Sequence, residues 1–318
     1  MNLLRKKDHT CYVHLMGGLG NQLFQIAAGL HYVYHSGGNL IIDDSFGNFR
    51  KNNLGDAAVF SYNSHSFSAT GSGSRRKRLT EKGLSLVIRT SLKSISNPSY
   101  MIMVIFLRTL ESILISIKFG KRITLWSATN LGFEDIPIST KSRYLIGYFQ
   151  TFRFASHKGV VNQLKGLSIT DASITRYKEI AAIEKPLIVH VRLGDYLKES
   201  NFGVLSSSYY DKAISLMISK YKFRHIWVFS DEISKAKLLI PERYLKLCRW
   251  MDDRDSAAVT LEKMRLGSGY INANSTLSWW GSFLSHTSNA PVVVPHPWFS
   301  RMSDPDELIP DNWIKISR

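Results

Sequence analysis

The segment His190–Tyr196, His-Val-Arg-Leu-Gly-Asp-Tyr, brings together side chains that could handle a charged ligand. It follows an apolar stretch that predicts a buried strand, so His190 and Arg192 are expected at the strand end where open α/β sheets bind ligands. A guanidinium is permanently charged and forked, which suits it to phosphate oxygens. With the carboxylate of Asp195 nearby, the segment indicates transfer from a phosphorylated donor. The alternative is a strand-to-loop turn with Gly194 at a special φ.

Two further segments have the composition of ligand-binding loops. The glycines of Gly17–Gln22 allow a tight turn and a close approach of the backbone to a ligand, and the predicted helix after them begins with unpaired amides. A purely structural turn is the alternative; as a dinucleotide fingerprint the loop lacks its third glycine. Ser275 and Thr276 lie between a predicted strand and a predicted helix, where hydroxyls and free amides form an anion cradle. Capping of the helix by Ser275 alone is the alternative there.

In this order, these segments closely resemble the galactoside α-1,2-L-fucosyltransferases of glycosyltransferase family 11, bacterial and animal enzymes that use GDP-fucose. The resemblance extends over nearly the whole chain except for residues of about 50–140. Further segments match in register: Gly147–Gln150, Phe202–Ser206 with Tyr209 and Tyr210, Val228–Glu232, and Ile309–Trp313.

The resemblance implies an α/β, GT-B-like fold with two Rossmann-type domains facing a cleft. It also implies that Arg192 holds the β-phosphate of GDP without a metal or another cofactor. The implied donor-binding set is Gly18, Asn21, His190, Arg192, Asp231, Ser275 and Thr276. For His190 a structural role is a close alternative, and for Asp231 capping of the following helix is favoured over nucleotide contact.

The proton acceptor is left open by the sequence. Asp195 is the candidate catalytic base, but it is equally suited to be the salt-bridge partner of Arg192 or a loop cap. Glu199 and Asp43 are weaker candidates. In a dissociative transfer the departing phosphate takes the proton, so no protein base is required.

The residue expected to recognise the guanine ring of the donor departs from the family pattern. The family has an aspartate, suited to the N–H donors of guanine, where this chain has Thr260, and Asp255 is the expected substitute. Asp253-Arg254-Asp255 imitates a DxD metal motif, but the triplet precedes a predicted helix, where aspartate is a routine cap. We therefore expect no metal site. At least one of Trp279 and Trp280 is expected in the core, because neighbouring helical residues point in different directions.

The elements that must position these residues alternate between strand and helix. They predict an N-terminal, acceptor-side domain over 1–168, with a variable insertion over about 50–140, and a C-terminal, GDP-fucose-binding domain over 169–318. Strands are predicted at 11–16, 39–43, 144–148, 187–191, 225–230, 244–247, 269–273 and 291–294, the last completing the sheet. Helices are predicted at 22–36, 99–120, 153–166, 207–220, 232–240, 256–265 and from 275 to 285.

The composition limits the cellular compartments and the binding partners that the protein is expected to have. The 318 residues carry a net charge of +16 and two cysteines without metal-ligand spacing, which favours a reduced, cytoplasmic protein without a signal peptide. No nucleic-acid-binding module is evident. The basic cluster Arg75–Arg78 is either a solvated loop or a contact with anionic lipid. The apolar window 100–119 carries charges, so a core helix is favoured over a membrane-surface helix, and a spanning helix is not expected.

Together these features predict a bacterial enzyme, peripheral on the inner face of the plasma membrane, that transfers L-fucose to the 2-hydroxyl of a terminal galactose with inversion. The acceptor would be a lipid-linked surface glycan such as an O-antigen. Two alternatives stay open: a GT-B transferase that uses another GDP-sugar, and a noncatalytic basic protein that binds membrane surfaces.

Overall fold

The computed structural model describes residues 9–43, 68–69, 101–119, 123–197 and 201–318, which divide into two compact units. The first unit holds the described residues up to 166 together with 305–308. The second holds the described residues of 167–304 and 309–318. The sequence predicts a single domain boundary at 168. In the structure residues 305–308 also belong to the first unit, which a single boundary does not allow. The cluster Arg75–Arg78 and Glu199 lie outside the described residues.

The first unit is built on a parallel sheet whose described strands run in the order β3-β2-β1-β5-β4. Every residue of β1 and β5 is buried, because these central strands are covered on both faces. The strands are β1 Thr10–His14, β2 Asn39–Asp43, β3 Ser68–Ala69, β4 Thr124–Ser127 and β5 Arg143–Ile146.

Four helices of the first unit are described: α1 Leu19–Ser36, α2 Met101–Phe119, α3 Phe152–Ala155 and α4 Lys158–Lys165. The predicted helix 153–166 is thus two helices, and α1 begins three residues earlier than predicted. Gly17 has a φ of +76°, which turns the chain sharply between β1 and α1. β4 falls inside the predicted insertion and was not expected from the sequence.

Helix α2 carries apolar residues both on the side that faces the core and on its exposed side. Ile115 packs in the core with Tyr12 and Tyr144, as a core helix requires, whereas Phe106 and Ile117 are at least half exposed. In the part of the chain that the structure describes, no helix has both the length and the apolar character needed to cross a membrane.

The second unit contains a parallel sheet in the order β11-β10-β9-β6-β7-β8. The five residues of β6 and of β7 are all buried, which explains their continuous apolar sequence. The strands are β6 Leu187–Val191, β7 Ile226–Ser230, β8 Cys248–Trp250, β9 Gly269–Ile271, β10 Val292–His296 and β11 Ile314–Ser317. The helices are α5 Ala172–Glu184, α6 Ser207–Tyr221, α7 Ile233–Ala236, α8 Ala257–Met264 and α9 Thr276–Phe283.

Three predictions for this unit are wrong. The helix expected at 232–240 is the single turn α7. The strand expected at 244–247 lies in a 3₁₀ turn, Glu242–Leu247, that follows Pro241, and the strand itself is β8. The sheet is not completed by β10, because β11 pairs with it in parallel. The alternating half-buried pattern of β11 is that of an edge strand with one face in solvent.

Candidate active site

The carboxyl ends of three neighbouring strands of the second unit meet at one cavity. Arg192 follows β6, Asp231 follows β7, and Asp252 lies just beyond β8. Parallel strands bring such positions to one edge of the sheet, where ligands bind in open α/β folds. The cavity has a volume of about 180 Å³. Its lining residues are His190, Arg192, Phe229, Ser230, Asp231, Asp252, Asp253, Asp255, Ala257, Thr260 and Leu277.

The guanidinium of Arg192 is held by two carboxylates. Its Nη2 lies 2.7 Å from Oδ1 of Asp195, and its Nη1 lies 3.1 Å from Oδ2 of Asp231. The ring of Tyr196 lies 5.5 Å from the guanidinium carbon, and burial raises the pKa of that tyrosine to about 12. The side chain of Arg192 nevertheless stays 30% exposed, so a ligand in the cavity can reach it. The guanidinium is therefore both fixed and accessible, as a phosphate-binding group must be.

Asp231 connects two strands rather than capping a helix. Its Oδ1 accepts a hydrogen bond from the backbone N–H of Leu193 at 3.0 Å, while Oδ2 faces Arg192. Helix α7 has Glu232 at its N-cap position, without a side-chain capping bond, so the favoured capping interpretation of Asp231 is wrong.

The same carboxylate explains Gly194. This glycine is outside the left-handed region, so no special φ requires it. A Cβ atom at this position would instead collide with Oδ2 of Asp231. Glycine is needed because the loop and the carboxylate approach each other closely.

His190 contributes a neutral imidazole to the cavity wall. Its side chain is 4% exposed, and burial, reinforced by the charge of Arg192, lowers its pKa to about 3. Within the part of the chain that the structure describes, its Nδ1 is buried and has no hydrogen-bond partner. The backbone carbonyl of His190 accepts a hydrogen bond from the hydroxyl of Tyr210. The residue therefore fixes the strand end and leaves one ring nitrogen unused.

Asp195 adopts the arrangement of the salt-bridge alternative. Its side chain is 62% exposed, and Oδ1 accepts a hydrogen bond from Arg192. The other base candidate that can be examined, Asp43, is fully buried and accepts a hydrogen bond from the hydroxyl of Tyr144. Asp43 is therefore not open to an acceptor sugar.

Ser275 takes the N-cap position of α9, but its side chain makes no capping hydrogen bond. The alternative of capping by its hydroxyl is therefore not what the structure has. Thr276 begins the helix, and the next residue, Leu277, lines the cavity. Both Trp279 and Trp280 are fully buried, which confirms the core expectation and excludes a sugar-stacking pair.

The acidic residues after β8 differ in their partners. Asp252 accepts hydrogen bonds from the backbone and the guanidinium of Arg254, which hold its pKa at about 2. Oδ2 of Asp255 instead lies 2.6 Å from Nζ of Lys263, a lysine that is only 3% exposed. Among the described residues, no three histidine, cysteine or acidic side chains are grouped to hold a metal ion.

The glycine-rich loop belongs to the first unit and is organised by amide side chains. Gln22 donates to the carbonyl of Gly17, and Oδ1 of Asn21 accepts a hydrogen bond from Gln150 at 3.1 Å. Gly18 takes the N-cap position of α1, and a Cβ atom there would meet nothing within 4 Å. The loop is therefore preformed, with open space at Gly18.

The sequence alone did not predict a role for Tyr196 or for Lys263. Tyr196 ends the segment His190–Tyr196, so its proximity to Arg192 in the sequence was the available signal. Lys263 lies between the buried residues Glu262 and Met264, and a lysine on a helix that is mostly buried is itself a signal for a paired charge.

A known family of glycosyltransferases matches almost the whole chain. The model of glycosyl transferase family 11 matches residues 10–317. The chain belongs to this family. It is 24% identical to the O-antigen biosynthesis glycosyltransferase WbnK of Escherichia coli, over 96% of this chain and 100% of that protein. It is also 25% identical to an α-1,2-colitosyltransferase of Escherichia coli, over 54% of this chain and 62% of that protein.

Among solved structures, POFUT1 in complex with GDP is similar in fold. The TM-score is 0.51 at 13% identity, and the match covers 91% of this chain and 98% of that chain. The family 11 glycosyltransferase described here thus has the α/β, GT-B-like fold that the sequence predicts, with parallel sheets in both units.

Proposed function

We propose that this glycosyltransferase moves L-fucose from GDP-fucose to the 2-hydroxyl of a terminal galactose, with inversion at the anomeric carbon. The observation that carries the proposal is the preset guanidinium of Arg192, which lies at the strand edge and is open to the cavity. The family membership supports glycosyl transfer, and the sequence resemblance supports the GDP-fucose donor and the galactose acceptor.

The chemistry requires that the leaving diphosphate be stabilised. As the bond between the fucose anomeric carbon and the β-phosphate oxygen breaks, negative charge grows on the phosphate, and Arg192 neutralises it. The hydroxyls of Ser275 and Thr276 and the first amides of α9 provide further donors for the same phosphate. No metal is needed for this charge, so we propose a metal-independent reaction.

The acceptor oxygen attacks from the face opposite the leaving group, which inverts the anomeric configuration. Its proton passes to the departing phosphate or to Asp195. Asp195 is already engaged by the guanidinium of Arg192, which favours the phosphate as the proton acceptor and a positioning role for Asp195. Asp231 positions Arg192 in the same way, from the other side.

The other residues of the proposed donor set come from the resemblance. His190 shapes the nucleotide pocket of the second unit, and the resemblance implies donor contacts for Gly18 and Asn21 of the glycine-rich loop. In this proposal the second unit binds GDP-fucose and the first unit provides the acceptor side.

The acceptor is proposed to be a galactose-terminated, lipid-linked surface glycan, because WbnK is an O-antigen biosynthesis glycosyltransferase. A cytoplasmic enzyme with peripheral contact to anionic lipid fits the net charge of +16. We propose no nucleic-acid partner.

One assay tests the proposal. Release of GDP is measured with GDP-fucose or GDP-mannose, with and without galactose-terminated disaccharides, in the presence of EDTA. We expect release only with GDP-fucose and a galactoside, unchanged by EDTA. Release that requires a divalent cation would contradict the metal-independent reaction, and salt-dependent binding to vesicles without turnover would support the noncatalytic alternative.

The similarity to an α-1,2-colitosyltransferase suggests a second donor to test. If colitose linked to GDP supports GDP release and GDP-fucose does not, the enzyme is a transferase of another GDP-sugar. The role of Arg192 is the same in both cases, because the leaving group is the same.

A further inference from the structure

Two elements of the second unit that are proposed to bind the same phosphate come from neighbouring strands. Arg192 follows β6, and the first turn of α9 follows β9, which pairs with β6 in parallel. From β6 the sheet continues to β7 on one side, and from β9 it continues to β10 on the other side. At such a switch point no backbone connection runs directly between the two loops that flank the crevice. Beyond the strand ends, the spacing of these loops must therefore be set by side chains.

One side chain, that of Tyr196, connects the two loops. Its hydroxyl donates a hydrogen bond at 3.0 Å to the backbone carbonyl of Asn274, two residues before α9 begins. Its ring centre lies 5.5 Å from the guanidinium carbon of Arg192, within the range of a cation–π contact. Burial raises the pKa of Tyr196 to about 12, so the hydroxyl keeps its proton near neutral pH. The cavity lining does not include Tyr196, so we expect it to act on a ligand through its neighbours.

The contacts around Tyr196 form a closed circuit. Asn274 is 1% exposed, and its Nδ2 donates to the carbonyls of Phe202 and Gly203. The ring centre of Phe202 lies 5.0 Å from that of Tyr196 and 5.4 Å from that of Phe299. The residue that receives the hydroxyl of Tyr196 thus also fixes the residue that packs on its ring. Tyr196 is therefore held in place with its hydroxyl on Asn274.

We propose that Tyr196 is a positioning residue for the transfer, which sets the separation between the guanidinium of Arg192 and the first turn of α9. The inference rests on the proposed transfer from a nucleoside diphosphate sugar. The fork of a guanidinium and the donors at a helix start can stabilise one departing phosphate only if both reach it at hydrogen-bond distance. A small shift of one loop would leave one set of donors too far away. The hydrogen bond of Tyr196 opposes that shift.

Tyr196→Phe tests the inference, because it removes the hydroxyl and keeps the ring beside Arg192. The readout is the ratio of GDP affinity to GMP affinity, measured by calorimetry on the full chain. GMP lacks the β-phosphate, so the ratio reports the contacts with that phosphate, and a smaller folded fraction would not change it. We expect the unaltered protein to prefer GDP by roughly tenfold or more. Tyr196→Phe should lower this preference roughly fivefold, as for one neutral hydrogen bond.

A double variant shows whether Tyr196 acts through the guanidinium. Alone, Tyr196→Phe should lower the kcat of GDP release roughly fivefold. In an Arg192→Lys background the same change should have a much smaller effect, because the fork that Tyr196 positions is already absent. Equal effects in the two backgrounds would overturn a role that acts through Arg192.

Tyr270→Phe is the matched control. Its hydroxyl donates to the backbone carbonyl of Gly267 at 3.1 Å, before β9 begins and so at the opposite edge of the same sheet. This variant should be less stable in urea but keep the ratio of GDP to GMP affinity. If Tyr196→Phe also keeps that ratio, the inference is overturned while the proposed function stands. If the unaltered protein binds neither GDP nor GMP, the proposed function itself fails.

Discussion

The guanidinium of Arg192 has a carboxylate on two sides and an aromatic ring beside it. This environment leaves the side chain little freedom to follow a ligand, so its fork must already match the phosphate. At the scale of single residues, the consequence is that charge alone is not sufficient at position 192.

Arg192→Lys is therefore expected to lower kcat by roughly 10²-fold, because a lysine ammonium is a point charge without the fork. The measurement is GDP release at saturating donor and acceptor. Arg243→Lys is the matched control, since Arg243 pairs with Asp211 at an exposed site where such a pair contributes little. Turnover of Arg192→Lys close to that of the control would contradict the phosphate assignment.

Asp195→Asn distinguishes a positioning residue from a base. As a partner of Arg192, the exposed carboxylate should be replaceable with a loss of roughly tenfold or less in kcat and with the same pH–rate profile. A general base would instead contribute about 10²–10⁴-fold, and the acidic limb of the profile would disappear. The kcat profile over pH 5–9 decides between the two roles.

Gly194→Ala should disturb Asp231 and, through it, Arg192. The added Cβ collides with the carboxylate, so we expect a loss of about 1–3 kcal/mol in the free energy of unfolding and a clear fall in turnover. Urea unfolding and GDP release measure the two effects. Gly166→Ala is the control, because its Cβ would meet its nearest atoms at 3.4 Å, and an equal effect there would refute the explanation.

At the residue scale, the place of a single residue in the fold can be predicted from the sequence more readily than its contacts with other residues. The apolar run before His190 indicates a strand end, so the location of Arg192 follows from local pattern. The contact of Arg192 with Asp231 depends on β6 and β7 lying side by side, which no local spacing encodes. The pairing of Asp255 with Lys263 is similarly hidden, because it joins a loop to the far end of a short helix.

At the scale of elements, the continuous apolar strands were the most predictable parts. β6 and β7 match their predicted ranges within a residue because both are buried on both faces. Short elements failed: the stretch after Pro241 was expected as a strand and forms a 3₁₀ turn, since a brief apolar run does not distinguish the two. β11 was missed although Ile314–Ser317 alternates between apolar and polar residues, because four residues are too few for the period to decide.

Helix ends provide an element-scale prediction. Lys222 terminates α6 in the left-handed region, with a φ of 63°, where a side chain is strained and glycine is not. Lys222→Gly should raise the free energy of unfolding of the second unit by about 0.5–1 kcal/mol. Lys212→Gly, in the exposed middle of the same helix, should lower it by about 1 kcal/mol. Equal effects of the two variants in urea unfolding would contradict the strain.

At the scale of the whole molecule, the family and the fold could be inferred from three motifs in order, and the division into two α/β halves from the alternation of elements. The return of 305–308 to the first unit could not, because it depends on tertiary contacts such as the one from Phe152 to the carbonyl of Glu307.

Acid should destabilise the molecule through His190, which is buried, and His31, which is half-buried. Burial lowers the pKa of His31 to about 4 and that of His190 to about 3, whereas both are near 6.5 in the unfolded chain. Between these limits the unfolded state binds more protons, so the stability present above pH 6.5 is lost as the pH falls. The urea midpoint should therefore decrease from pH 7 to pH 4, less steeply in His31→Gln. An unchanged slope in that variant would exclude a contribution from His31.

The close approach of Gly194 to Asp231 has a consequence for the evolution of the enzyme. A larger residue at position 194 can be accepted only if the side chain at position 231 becomes shorter or moves. A longer acidic side chain at position 231 can be accepted only where residue 194 has no side chain. Although a strand and a helix separate them along the chain, the two positions should mutate together among related sequences.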